Sequence, residues 1–79
     1  MSPTVFRYGK YQFYFFALEE NRIHIHVHSS DGEAKFWLEP VIALANSQGL
    51  SAKKIRDMQK IVQDRQDEIK RVWKKFFRC

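Results

Sequence analysis

The sequence predicts an α+β domain in which an antiparallel sheet of about four strands packs on one long C-terminal amphipathic helix. Up to residue 38, β-branched and aromatic stretches alternate with short turn signals, as in hairpins. From residue 51, apolar residues recur three and four positions apart, as on one face of a helix. The 79 residues leave room for one core. We therefore predict a single domain over 1–79, with hairpins in 1–50 and the helix in 51–78.

The first two strands are predicted at residues 4–8 and 11–18. Gly9-Lys10 between them is a two-residue loop with glycine first, which is typical of a type II′ turn. In that register Phe6 faces Phe13 and Tyr8 faces Tyr11. The run at residues 13–16 is apolar on both pleat faces, which indicates a strand inside the sheet.

Residues 23–28 alternate strictly between apolar side chains and histidines, so one strand face is apolar and the other carries three imidazoles. Asp31-Gly32 is a strong hairpin signal, and we predict it as the two-residue loop that leads into the fourth strand. Pro40 ends that strand, because proline cannot donate to a ladder. The predicted pairs are Val27 with Phe36, Ile25 with Leu38, His28 with Lys35, His26 with Trp37, and His24 with Glu39.

Residues 41–46 fit either a short extra strand or a helical turn, and we favour the strand. Ser51 is predicted to cap the helix, whose last turns we expect to overhang the sheet as a basic and aromatic end. Arg65 interrupts the apolar seam. We interpret it as a side chain that snorkels past the sheet edge, and the alternative is a contact with a partner's carboxylate or a phosphate. The seam consists of Ile55, Met58, Ile61, Val62, Ile69, Val72, Trp73, Phe76 and Phe77.

Positive charge is concentrated in the C-terminal third of the chain. Residues 1–51 carry four Lys/Arg against five Asp/Glu, and residues 52–79 carry ten against four. Such a stripe attracts phosphate backbones or an acidic protein, and a solvated helix face is the alternative explanation. Arg65, Lys70, Arg71, Lys74 and Lys75 are the candidate binding residues of this segment.

The histidine face admits three interpretations. His24 and His26 with Glu39 could hold a metal ion, but three ligands are fewer than a closed structural site needs, so we expect no metal. His26, His28 and Lys35 could perform acid–base chemistry in a small ribonuclease, with Trp37 as a stacking platform. The same mixture of residues is also typical of a surface that docks a protein.

Compartment and cofactor follow from what the sequence does not contain. Cys79 is the only cysteine, and no signal peptide or membrane-spanning stretch is evident, so we expect a cytoplasmic protein without membrane contact. There is no glycine-rich phosphate loop, nucleophile elbow or helix-borne histidine pair. We therefore expect no cofactor.

Several stretches are similar to a known family. They are Pro3-Thr4-Val5-Phe6, the aromatic run to Phe16, His24-x-His26-Val27, the Asp-Gly-Glu-Ala-Lys-Phe-Trp-Leu-Glu-Pro segment at residues 31–40, Gly49-Leu50-Ser51, and Trp73-x-x-Phe76-Phe77. Over essentially the whole chain these resemble the small bacterial DUF4160 family, a domain of unknown function. The chain departs from the family at Arg22-Ile23, where two prolines are usual, and also at His28 and Arg65.

The resemblance implies a small partner protein. Members of the family look like one half of a two-gene operon and like candidate toxin–antitoxin components, so a toxin role is also implied. Their shared residues map to His24, His26, Lys35 and Trp37, so the resemblance favours His24, His26 and Lys35 as catalytic candidates over His28. We therefore expect a toxin–antitoxin-type component that binds a cognate protein, with RNA as a second ligand. A non-enzymatic inhibitor or adaptor and a small ribonuclease are the alternatives, and a homo-oligomer is left open.

Overall fold

Five antiparallel strands form one sheet and two helices follow it. This computed structural model describes residues 4–16 and 22–77. The strands lie side by side in chain order. They are β1 (Thr4–Tyr8), β2 (Tyr11–Tyr14), β3 (His24–Ser29), β4 (Gly32–Trp37) and β5 (Ala43–Gln48), and the helices are α1 (Ala52–Asp64) and α2 (Gln66–Phe77). The α+β prediction is confirmed. The predicted counts of about four strands and one helix were each one too low.

The first hairpin has the predicted register. Phe6 pairs with Phe13 and Tyr8 pairs with Tyr11. The rings of Phe6 and Phe13 stack with 4.5 Å between centroids. β2 lies between β1 and β3, as the apolar run predicts. This strand ends at Tyr14, four residues earlier than predicted. Residues 15 and 16 are not part of a strand, and residues 17 and 18 lie outside the described residues.

The second hairpin differs from the prediction by two residues. Its loop is Ser30-Asp31, so His24 pairs with Trp37 and His26 pairs with Lys35. Gly32 belongs to β4 because its backbone lies close against that of Gln48 and Gly49, where a Cβ atom has no room. Shifting the ladder by two residues keeps every side chain on its predicted face, since the side-chain period of a strand is two.

The core lies between one face of the sheet and the two helices. The buried side chains come from β2, β3 and β4, from residues just beyond strand ends, and from both helices. They are Tyr11, Phe13, Phe15, Ile25, Val27, Ala34, Phe36, Leu38, Met58, Val62, Ile69 and Trp73. We refer to this side of the sheet as the helix side and to the opposite side as the outer face.

Arg65 separates the two helices. Its φ and ψ of −116° and 20° depart from helical values, although its amide still donates to Ile61 O at 3.0 Å. A straight helix over 52–77 would be about 39 Å long, whereas the longest dimension of the fold is 34 Å. Because the helix is broken at Arg65, α2 stays packed against the sheet and does not extend beyond it. The expected overhang is therefore wrong, since Trp73 is only 3% exposed. The predicted cap is confirmed: Ser51 Oγ accepts from the Lys54 amide.

Candidate binding face

Sheet pairing places four polar and aromatic side chains in one row across the outer face. Tyr14 on β2 pairs with His26 on β3, and His26 pairs with Lys35 on β4. Lys35 pairs in turn with Asn46 on β5. Because these positions alternate with the buried core residues, all four side chains point away from the helices.

The imidazole of His26 sits in an aromatic cluster. It stacks on Tyr14, with 5.3 Å between ring centroids and 25° between planes, and meets Phe16 at 4.8 Å and 64°. Phe16 is 42% exposed. These three rings line a cleft of about 280 Å³ together with Glu33, Ala34, Lys35 and Asn46. The arrangement forms a recess with aromatic rings on one side and charged and amide side chains on the other.

Two cations lie on the indole of Trp37. The Lys35 Nζ is 4.5 Å from the ring centroid and the Arg22 guanidinium carbon is 4.1 Å from it. Arg22 Nε also donates to the Glu39 carbonyl oxygen at 2.9 Å. Contacts of this kind are favourable by about 0.5–1 kcal/mol at exposed sites. Trp37 therefore holds positive charge beside the aromatic cluster.

His24 is fully enclosed, unlike the other two histidines. It is 0% exposed, and its ring contacts those of His26, Trp37 and Trp73 at centroid distances of 5.1–5.7 Å. Its Nδ1 lies 2.7 Å from the Arg22 carbonyl oxygen, and since a carbonyl only accepts, Nδ1 is the donor. In this conformation His24 packs beneath the aromatic side chains of the outer face and does not contact solvent.

The weak metal candidates do not come together. His24 pairs with Trp37 and not with Glu39 as predicted, so Glu39 lies two residues beyond the position opposite His24. The carboxylate of Glu39 is 3.8 Å from Lys70 Nζ. Among residues 4–16 and 22–77, no group of three His, Cys, Asp or Glu side chains has the arrangement of a metal site.

The basic candidates of the helices fall on separate surfaces. The Arg65 guanidinium lies 3.9 Å from the ring centroid of Phe6 on the helix side and 3.1 Å from Glu68, which agrees with snorkelling past edge strand β1. Arg71, Lys74 and Lys75 are exposed on α2, and no carboxylate of the described residues forms an ion pair with them.

Sequence reasoning missed Tyr14, Phe16, Arg22 and Asn46 on the outer face. The signal for the first two was present, because a register that pairs β2 with β3 places alternate residues of the aromatic run on the histidine face. Arg22 could not be placed, since it precedes β3 in a bend. Asn46 depends on a fifth strand that the sequence only suggested.

Three further findings bear on function. A family model described as "Domain of unknown function (DUF4160)" matches residues 11–74. No curated protein and no solved structure matches the chain. Within the part of the chain that the structure describes, neither helix has the length and apolar character needed to cross a membrane.

Proposed function

This chain belongs to the DUF4160 family, and we propose that it is a binding module whose outer face docks a small cognate protein. The aromatic cluster of Tyr14, Phe16 and His26, with Lys35 at its rim, is the observation that carries the proposal. Family resemblance alone supports the further proposal of a toxin–antitoxin-type pair in the cytoplasm.

The outer face has the composition of a protein interface. Interface cores are enriched in aromatic residues and arginine, and their most important residues fill pockets. Phe16 is among the most exposed large apolar side chains of the described residues, and it borders a recess that a partner's side chain can enter. The face therefore combines exposed aromatic side chains with directional polar groups in one recess.

Charge determines the kind of partner. Lys35 and Arg22 on Trp37 place two cations beside the recess. Glu33, the acidic residue that also lines the recess, lies 3.8 Å from His28 Nδ1. A partner with carboxylates around one protruding apolar side chain fits this pattern, because opposite charges steer association and select the partner.

RNA is a second candidate ligand, and a different observation favours it. Arg71, Lys74 and Lys75 form an exposed cationic strip on α2. Such a strip attracts phosphates regardless of sequence. The ribonuclease alternative has less support, because His24 is fully enclosed and cannot act with His26 on a substrate in solvent.

Co-expression with the product of the adjacent gene tests the proposal. We expect a complex that survives size-exclusion chromatography and is lost in Lys35→Glu, because the substitution places a negative charge where the partner carries carboxylates. Lys53→Glu on α1, where Lys53 pairs with Asp57 at 3.2 Å, is the matched control. Repeating the binding measurements at high salt distinguishes a protein partner from RNA, since RNA binding weakens steeply with salt. Retention of the complex in Lys35→Glu contradicts the proposal.

The toxin role has its own test. Inducible expression in a bacterial host should arrest growth, and His26→Ala should relieve the arrest while the variant stays folded and accumulates to the same level. Co-expression of the adjacent gene product should relieve it as well. If the wild-type chain does not arrest growth, it is an antitoxin or adaptor and the toxin role is wrong.

A further inference from the structure

β5 forms one edge of the sheet, and no other strand of the described residues pairs with its open side. Four of its six residues are exposed. An edge strand presents a row of backbone N–H and C=O groups, which can pair with a strand of another chain. The sheet can therefore be extended at β5.

The two edges of the sheet differ in charge. Residues 40–52, which include β5, contain no Asp, Glu, Lys or Arg and form the longest uncharged stretch of the chain. At the opposite edge, β1 carries exposed Arg7, and the Arg65 guanidinium covers the ring of Phe6 at 3.9 Å. Charged side chains on an edge strand prevent it from pairing with other chains. β1 has this protection and β5 lacks it.

The side chains of β5 suit contact with an identical strand. Asn46 and Gln48 carry amides, which are both donors and acceptors, and the Ser47 hydroxyl has the same capacity. Such groups can hydrogen-bond to copies of themselves, whereas a charged group would meet its own charge in an identical strand. Leu44, which is 39% exposed, adds an apolar side chain beside this polar row. A second copy of this chain is therefore the occupant that the edge fits.

Symmetry restricts the register of such a contact. When two copies of a sheet join edge to edge with antiparallel strands, paired residues lie on the same face, so the two-fold axis lies between one residue and its own copy. Asn46, Ser47 and Gln48 pair regularly with β4, whereas the register shifts between Asn46 and Leu44. An axis at Ser47 centres the contact on the regular stretch.

We propose that the chain forms a two-fold symmetric dimer in which β5 pairs with β5 of a second copy, with Ser47 at the axis. Asn46 of each copy then lies opposite Gln48 of the other, and the two five-stranded sheets form one continuous sheet. The outer faces of both copies lie on the same side of it. This contact stands whether or not the outer face docks a partner protein.

Sedimentation equilibrium of the purified wild-type chain tests the dimer. Under reducing conditions, which keep Cys79 from linking two chains, the mass should rise from monomer to dimer as the concentration approaches the millimolar range. It should rise no further, because a two-fold contact is closed. A chain that stays monomeric, or that forms larger species, overturns the proposal.

A lysine placed on each edge in turn identifies the contact. Ser47→Lys should be monomeric at the concentration at which the wild-type chain is a dimer, because like charges then face each other at the axis. Thr4→Lys, at an exposed position on β1, is the matched control and should dimerise like the wild-type chain. A dimer that persists in Ser47→Lys, or that is lost equally in both variants, overturns the proposal.

Mixing two charge variants distinguishes a broken contact from a misfolded chain. Ser47→Glu should also be monomeric alone. An equimolar mixture of Ser47→Lys and Ser47→Glu should form a heterodimer, because opposite charges then meet at the axis. Only a residue at the axis meets its own counterpart, so this rescue also tests the register. A mixture that stays monomeric overturns the proposal.

Discussion

The imidazole of His24 packs against the indole of Trp73, with 5.1 Å between ring centroids and 66° between planes. This contact joins the start of β3 to the last turns of α2. Trp73 also meets Phe15 edge-on at 5.1 Å. Trp73 of α2 therefore packs over one end of the sheet, and its contact with His24 anchors the start of β3.

Truncation of the indole should be strongly destabilising. Trp73 is 3% exposed, and Trp73→Ala should lower the free energy of unfolding by about 3–5 kcal/mol through lost burial and a cavity. Urea denaturation monitored by circular dichroism measures this. Phe76→Ala is the control, because Phe76 is 41% exposed, and its cost should stay near 1 kcal/mol. Equal costs would contradict the observed docking of α2.

Substitution of His24 should lower the stability of the protein more than substitution of His28. His24→Ala should cost about 1–3 kcal/mol, because it leaves a cavity and an unpaired Arg22 carbonyl oxygen. His28 is exposed and only approaches Glu33 at 3.8 Å, so His28→Ala should change stability by less than about 0.5 kcal/mol. Chemical denaturation of both variants provides the comparison. An inert His24→Ala would mean that His24 is not enclosed.

The sequence predicts only part of this difference between the histidines. Strict alternation placed His24 and His26 on one strand face, and that face assignment holds. The alternation of residues in β3 does not predict the contact between Trp73 and His24, because that contact depends on the break at Arg65. A straight helix would have carried Trp73 past the sheet, which is why an overhang was expected.

The hairpin register was missed for a related reason. Asp31-Gly32 is a strong local turn signal, and local propensity alone favours it as the loop. The close approach of Gly32 to Gln48 and Gly49 moves glycine into the strand. That approach depends on β5, a long-range partner that no local signal specifies. The first hairpin has no such constraint, and its register was predicted correctly.

Glycine substitutions test this explanation. Gly32→Ala should be severely destabilising, because the added Cβ meets the backbone of Gln48 and Gly49, which cannot rotate away. Gly9→Ala is the matched control: Gly9 has a φ of +58° but nothing within 4 Å of a Cβ there. Its cost should be limited to backbone strain of about 1 kcal/mol. Thermal melts that rank Gly9→Ala as the worse variant would contradict the β4–β5 packing.

An exposed ion pair sets the pH response of the second hairpin loop. A hydrogen bond from Lys10 lowers the pKa of Asp31, and the same contact raises the pKa of Lys10. The contribution of Asp31 to stability is present above its unfolded-state pKa and is lost as pH falls through the lower native value. That of Lys10 is present below its unfolded-state pKa and is lost as pH rises through the higher native value. Both effects should be small, because water and salt screen the pair.

Lys10→Gln should raise the pKa of the Asp31 carboxyl toward its ordinary value. Carbon-detected NMR titration of that carboxyl measures the change. Lys60→Gln serves as the control, because Lys60 contacts Asp64 and not Asp31. An Asp31 pKa that stays the same in Lys10→Gln would show that the contact does not persist in solution.

The proposed docking of a partner on the outer face is tested most directly by side-chain NMR of this chain, alone and mixed with the adjacent gene product. We expect the ring signals of Tyr14 and His26 and the indole signal of Trp37 to shift on binding. The methyl signal of Met58, on the helix side, should stay in place. Shifts at Met58 with unchanged signals at Tyr14 and His26 would contradict the assignment of the docking face.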